Sequence, residues 1–322
     1  MKKILFYLVI SLLPAYALGQ ASTCYTPDVK QSAVILTASG ATSIGEAEFS
    51  LGTNPDGTPK KVRFALGNLQ YKPSTGDWRI AQHQYDYVGG YYKGHTKYPD
   101  TDLWDGQYGT VYENDTKCVN INSGKATITS HVGWIDALLF EEVPETITIN
   151  GEEFKQPSAD DYDYLLGIKA STSHRANAEQ LRARARIILD EATPDGNTFV
   201  NGLIVLPDDW DPKVLLAGNT IIPDLDGVNG CWFYNDNRLT EGEWRLLEAQ
   251  GAIFLPAAGN PAGQDQAKFN RSGYYWTSTP NGGNALTVEF GGYPYQNQNN
   301  TPVFEARPKN YRRTFRLCQE VK

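Results

Sequence analysis

Apolar residues recur along the chain at two different spacings, and the spacing marks off the elements. In FSLGTNPDGTPKKVRFALGNLQY, residues 49–71, the run Lys61-Val62-Arg63-Phe64-Ala65-Leu66 alternates polar and apolar, as a half-buried strand does. Asn54-Pro55-Asp56-Gly57 is a turn signal, so the stretch predicts a hairpin. PSADDYDYLLGI switches to helical spacing. Ser158 can cap, acidic residues fill the first turn, and Tyr162, Leu165 and Leu166 share a face. A second helix is predicted after Thr240-Glu241-Gly242-Glu243, a capping box followed by Trp244, Leu246, Leu247 and Ala249 and ending near Gly251.

Between the helices, Arg182, Arg184 and Arg186 alternate with Ala183 and Ala185. In a strand the three arginines share one face, which is expected to be solvated. A turn at Thr193-Pro194-Asp195-Gly196-Asn197 and a buried strand at Gly202–Leu206 complete a hairpin. Ile253–Pro256 reads as a short strand, and YYWTST, NALTVEF and RRTFRLC read as three more. Residues 89–130 are polar and glycine-dotted, predicting loops with short strands. The order of strands, helix, strands, helix, strands predicts an α+β chain with mainly antiparallel sheet.

The first twenty residues stand apart. Lys2 and Lys3 precede an apolar run, Ile4 to Leu13, then Pro14 and the small-residue site Ala17-Leu18-Gly19. That order predicts a secretory signal peptide over 1–19, with the run too short to span a bilayer. Residues 20–48 are then an N-terminal extension and 49–322 the folded domain. Ala21-Ser22-Thr23 before Cys24 is a poor lipid-anchor motif, so an exported protein is expected: extracellular, on the outer-membrane surface or periplasmic. In an oxidising compartment Cys24, Cys118, Cys231 and Cys318 are candidates for disulfides, with three pairings open. A net charge of −8 argues against a nucleic-acid surface.

Catalytic signatures are missing. The sequence has no Walker loop, no GxGxxG after a strand, no GxSxG elbow and no HExxH. His83, His95, His131 and His174 lack ligand spacing. No catalytic residue and no metal ligand is assigned. The one weak cofactor signal is calcium at the oxygen-rich segment 222–230, whose spacing is not that of an EF-hand.

Taken in order, "KKVRFALGNLQY", "WRIAQHQYDYVG", "GWIDALLF", "DDYDYLL", "VNGLIVLPDDW", "WRLLEAQGAIFLPAAGN", "GYYWTSTP" and the closing "FRLC" resemble a large family of exported Bacteroidota proteins. That family has a C-type lectin-like fold, of the branch shared with formylglycine-generating enzymes and retroelement-diversified variable proteins. The resemblance spans about residues 49 to 318. It implies a small twisted antiparallel sheet with flanking helices and a ligand surface on loops near the C-terminal strands. The close late cysteine pair of the oxidases and the calcium motifs of animal lectins have no counterpart here.

The late stretch carries the binding expectation. Tyr274, Trp276 and Ser278 share one strand face, and Tyr275, Thr277 and Thr279 the other, with Trp276 in the core. Pro280-Asn281-Gly282-Gly283 turns the chain, and Leu286, Val288 and Phe290 point inward on the return. Residues 291–302 then carry Tyr293, Tyr295, Asn297, Asn299 and Asn300 with almost no aliphatic side chain. Tyrosine and asparagine together make an adaptable contact surface. The predicted site joins this loop with Tyr275 and Asn284. Arg307, Lys309, Arg312 and Arg313 flank it and could hold an acidic group. A non-catalytic receptor for a glycan or protein is therefore expected. A formylglycine-generating-type oxidase and a structural subunit of a surface or fimbrial assembly stand as alternatives.

Overall fold

In the computed structural model, residues 44–72, 76–87, 136–170, 172–189, 198–210, 234, 237–259, 271–291 and 302–321 are described, with the backbone of four short strands between 92 and 127. The N-terminal half holds β1 (Phe49–Thr53), β2 (Pro59–Phe64), β3 (Leu69–Lys72), β4 (Asp77–Ile80), β5 (Tyr92–Lys93), β6 (Gly109–Glu113), β7 (Lys117–Asn122), β8 (Lys125–Thr127), β9 (Leu138–Leu139), β10 (Thr146–Ile149) and β11 (Glu152–Lys155). Then follow α1 (Ala159–Leu166), β12 (Arg182–Ile188), β13 (Thr198–Val205), β14 (Arg238–Thr240), α2 (Glu241–Ala249) and β15 (Ile253–Pro256). The chain closes with β16 (Ser272–Asn281), β17 (Asn284–Gly291), β18 (Val303–Pro308), β19 (Arg312–Arg313) and β20 (Cys318–Glu320). This is an α+β architecture of mostly antiparallel sheets. Among the described residues no helix is long and apolar enough to cross a membrane.

The sheet β14-β12-β13-β15 is the centre. Only its β12–β14 pair runs parallel among the described strand pairings. On one face Ala185, Ile187, Val200, Ile204 and Phe254 join Trp244 of α2 and Trp276 of β16 in a core cluster. On the other, Leu203, Val205, Ile253 and Leu255 pack with Tyr162, Leu165 and Leu166 of α1 and with β1 and β2. Because both faces are covered, β12 is buried on both sides.

That burial corrects the expected solvated arginine face. Arg182, Arg184 and Arg186 are 0 %, 1 % and 3 % exposed. A strand buried on one face shows the same alternation as one buried on both, and only the partner layer decides. The partner is the C-terminal end of α1, whose last carbonyls lack helical donors. Arg182 Nη1 donates to Leu166 O there. Arg175 Nε donates to Leu165 O at 2.8 Å. Arg186 Nε reaches Asn201 Oδ1 at 2.9 Å, and its guanidinium lies 3.9 Å over the Phe199 ring.

Both helix starts fold as their sequences require. Ser158 Oγ accepts from Asp161 N while the Asp161 carboxylate accepts from Ser158 N, and Thr240 with Glu243 repeats the arrangement. Leu246 departs from the expected buried face: it is 57 % exposed, and α2 buries Trp244 and Leu247 instead. The turn at 54–57 closes with Gly57 N donating to Asn54 O, and the expected hairpin forms antiparallel, with a shift of register between Ser50 and Thr53. The expected turn at 193–197 and the segments 1–43 lie outside the described residues.

RRTFRLC is a strand only at its ends, in β19 and β20. Its middle bonds by backbone to two different segments. Trp276 N donates to Thr314 O and Thr314 N to Tyr274 O on one side, and Leu69 N to Phe315 O and Ala65 N to Leu317 O on the other. Arg316, buried within it, donates to the carbonyls of Ala65, Gln84 and Phe254. The final segment thus stitches the C-terminal sheet to the N-terminal one. The sheet β1-β2-β20-β11-β10 combines both ends of the chain.

Candidate functional site

The C-terminal sheet β16-β17-β18 carries the late stretch. Its hairpin pairs Ser272 with Gly291 at one end and Asn281 with Asn284 at the other, and β18 pairs Val303 with Glu289 and Pro308 with Asn284. Trp276 anchors it as expected: Nε1 donates to Leu138 O at 3.1 Å, and Phe140 stands edge-on 5.5 Å away. Val288 and Phe290 are buried, while Leu286 is only half-buried, because its neighbour in β18 is the exposed Ala306. α1 buttresses the hairpin from outside: Ala159 N donates to Thr279 Oγ1 at 2.9 Å and Ser278 N to Pro157 O at 2.9 Å.

Two of the predicted contact residues do not stand where a joint surface needs them. Tyr275 is 0 % exposed. Its ring stacks on Phe290 at 6.0 Å, and its hydroxyl donates to Pro256 O at 3.0 Å, beside Asn68 Oδ1 at 3.3 Å. Burial pushes its pKa up. It is a core side chain, because the face opposite Trp276 is covered by the second core cluster rather than by solvent. Asn284 is half-buried at the tight-turn end of the hairpin. Gly291, where the Tyr/Asn loop departs, is seven strand residues away, roughly 24 Å at the usual rise. Asn284 and that loop therefore belong to opposite ends of the sheet. Tyr293, Tyr295, Asn297, Asn299 and Asn300 themselves lie outside the described residues.

The basic residues expected to flank the loop lie toward the tight-turn end of the sheet, where Arg307 pairs with Ala285 and Lys309 lines up beside Gly283, and they are spent internally. Arg307 grips Glu289 through two bonds, of 2.7 and 2.9 Å. Glu289 is 2 % exposed and also accepts from Thr287 Oγ1 at 3.0 Å. Arg312 bonds Glu142, and Lys309 bonds Glu141. Arg313 is buried with its guanidinium over the rings of Tyr274 and Tyr311. None of the four is left to hold an acidic ligand in the way expected.

The loop end has its own geometry. Gly259 N donates to Ser272 O at 2.9 Å, and Tyr234 Oη donates to Arg271 O at 2.9 Å. Ser272 pairs with Gly291. Gly259 and Arg271 flanking 260–270, Gly291 preceding 292–301, and Tyr234 following 211–233 are thus linked by Ser272 and its neighbour at one end of one sheet. At the other end lies a cleft of about 480 Å³ lined by Leu139, Glu141, Gly283, Pro308, Lys309 and Asn310. Sequence reasoning named Lys309 and the Gly282-Gly283 turn but not the cleft. Its far wall is 139–141, distant in sequence, and the pairing of β19 with β9 and a bond from Phe140 N to Lys309 O bring that wall alongside.

Cys318, one of the four disulfide candidates, is buried with a free thiol. It sits in the cluster of Phe64 and Tyr162, and burial pushes its pKa up to about 12. The side chains of Cys24, Cys118 and Cys231, and the calcium candidate at 222–230, lie outside the described residues. Among the described residues no group of three metal-ligating side chains is placed to hold an ion.

One polar cluster lies in the turn after α1. Thr172 Oγ1 lies 2.6 Å from Asp163 Oδ2 and 2.9 Å from His174 Nε2. Thr172 Oγ1 also lies 3.0 Å from Lys169 O. Asp163 also accepts from Lys169 N at 2.7 Å, so the cluster ties down the turn after α1. No protein-family model, curated protein or solved structure matches the chain.

Proposed function

We propose that the chain is an exported, non-catalytic ligand-binding protein with a C-type lectin-like fold, and that it grips a glycan or a protein through the Tyr/Asn-rich segment 292–301. The observation that carries this reading is the bonded cluster of loop anchors at one end of β16-β17-β18. Recognition loops work best on a scaffold that does not move. Here the scaffold is held by the buried Trp276, the stacked Tyr275 and Phe290, and the enclosed Glu289–Arg307 pair. The segment supplies tyrosine for rigid contact area and asparagine for adaptable hydrogen bonds.

The buried thiol of Cys318 fits this reading better than the oxidase alternative. It is enclosed beside Phe64 and Tyr162, away from the open surface that an oxidase's copper and substrate would have to reach. The direct test is a glycan array, with a panel of immobilised host-surface proteins, probed by residues 20–322 and by the Tyr293→Ala/Tyr295→Ala variant. Binding to a defined subset, lost in the variant with the thermal midpoint unchanged, is expected. Equal binding by both proteins would remove the segment from the site.

A further inference from the structure

The cleft at the tight-turn end carries an inference independent of the loop segment. Its walls are fixed. Phe140 N donates to Lys309 O at 3.3 Å, and Tyr311 N to Pro308 O at 2.9 Å. Phe140 behind the wall is braced by Trp276. The mouth is open: a Cβ added to Gly282 or Gly283 would meet nothing within 4 Å. The volume falls in the range of small-ligand sites, which combine apolar walls with a few placed polar groups.

The lining specifies the occupant. Leu139 and Pro308 offer apolar surface, and Glu141, Lys309 and Asn310 offer an acceptor, a donor and a group that is both. The cation and the anion balance each other in a long pair of 3.4 Å, with the Glu141 side chain 74 % exposed. A charged ligand would face one like charge whichever way it entered. A ring bearing hydroxyls would not: its C–H face can lie on Leu139 and Pro308 while hydroxyls replace the weak Lys309–Glu141 contact. We infer that this cleft is a binding site for one neutral pyranose unit, at the opposite end of the sheet from the Tyr/Asn segment.

The test is saturation-transfer NMR on residues 20–322 with D-galactose, D-mannose and N-acetylglucosamine, one at a time. A dissociation constant of about 1 mM is expected for at least one of them, as a shallow single-sugar site gives. Gly283→Leu fills the cleft without entering the left-handed region or meeting a neighbour at Cβ, so its thermal midpoint should match the parent. That variant should bind about tenfold or more weakly, and Asn310→Ala several-fold more weakly, as the loss of one hydrogen bond predicts. Tyr293→Ala/Tyr295→Ala should bind the same sugar as the parent does. No transfer to any of the three sugars overturns the inference. So does transfer that survives in folded Gly283→Leu, and transfer lost only in the tyrosine variant would move the sugar to the loop end.

Discussion

Replacing Arg175 by methionine tests whether buried guanidinium groups hold this fold together. Arg175 is 4 % exposed and donates to Leu165 O, Leu206 O and Asp208 Oδ1 at 2.8, 2.8 and 3.1 Å. A fourth contact, to Leu181 O, is long at 3.4 Å, and that carbonyl also accepts from Leu206 N at 2.8 Å. Burial draws the Arg175 pKa down to about 10, against the pull of Asp208, so the cation persists at neutral pH. Methionine keeps most of the apolar volume but donates nothing. Two buried carbonyls, Leu165 O and Leu206 O, lose their guanidinium donor, at about 1–3 kcal/mol each. Asp208 loses little, because Ser50 N and Oγ still bond it. Relief of the desolvated charge offsets part of the loss, which leaves about 3 kcal/mol. With a urea m-value of about 3 kcal/mol/M, the midpoint should fall by about 1 M. Arg245→Met is the control: its side chain is 58 % exposed, so its pair with Glu241 should contribute under about 1 kcal/mol. If the Arg175→Met midpoint moves no further than the control's, carbonyl clasping does not hold α1 in place.

Gly273→Ala should destabilise by about 1–3 kcal/mol in the same urea titration, because a Cβ there would stand 2.1–2.6 Å from the Phe290 ring. Arg307→Met should cost about 3 kcal/mol by leaving the enclosed Glu289 carboxylate without its cation, and a change below about 0.5 kcal/mol would refute that. His83 gives a pH signature. Its burial opposes the charge, but the hydrogen bond and field of Asp86, with the field of Glu241, outweigh this and the opposing Arg245, and raise its pKa. A raised folded value means the added stability is full below about pH 6.5 and is lost as pH rises through that folded value. Glu248, also raised by burial, acts in the same direction at lower pH. The urea midpoint of His83→Gln should therefore change less than the parent's between about pH 6 and 8, and parallel curves would exclude His83.

What the sequence shows and what it hides divide along physical lines. Helix caps are local, so the Ser158 cap and the Thr240–Glu243 capping box could be read directly; the structure forms both, and Asp161 completes a second box at Ser158. Alternation reveals a strand but not what covers it. Lys61-Val62-Arg63-Phe64 and Arg182-Ala183-Arg184-Ala185 look alike, yet Arg63 is exposed and Arg182 is enclosed. The same limit explains Tyr275, whose polar tip suggested contact and whose hydroxyl in fact closes a core bond to Pro256 O. Asn284 is near the late loop in sequence, and a strand of eight residues carries that nearness to opposite ends of a sheet. The cleft could not be read because Leu139 and Lys309 meet only through long-range pairing.

The buried arginines bear on how such a chain tolerates long polar segments. Regular sheets and helices satisfy their own backbone, but the joins between them do not. Here Arg175, Arg182 and Arg316 reach from fixed points to carbonyls at those joins: the end of α1, the exit of β13, and the segments after β2 and after β4. A guanidinium carries five donors in one rigid fork, so one residue can settle several orphan carbonyls without adding an element. The consequence is a division of labour. Stability resides in clasped joins and in the two core clusters, neither of which involves the anchors at Gly259, Ser272 and Gly291 except through backbone bonds. Side chains beyond those anchors can then change with little effect on folding. On this argument the Tyr293→Ala/Tyr295→Ala variant should keep the parent's urea midpoint to within about 0.5 kcal/mol, the range of surface changes. A larger drop would mean that the tyrosines are part of the fold, and would count against their role in recognition.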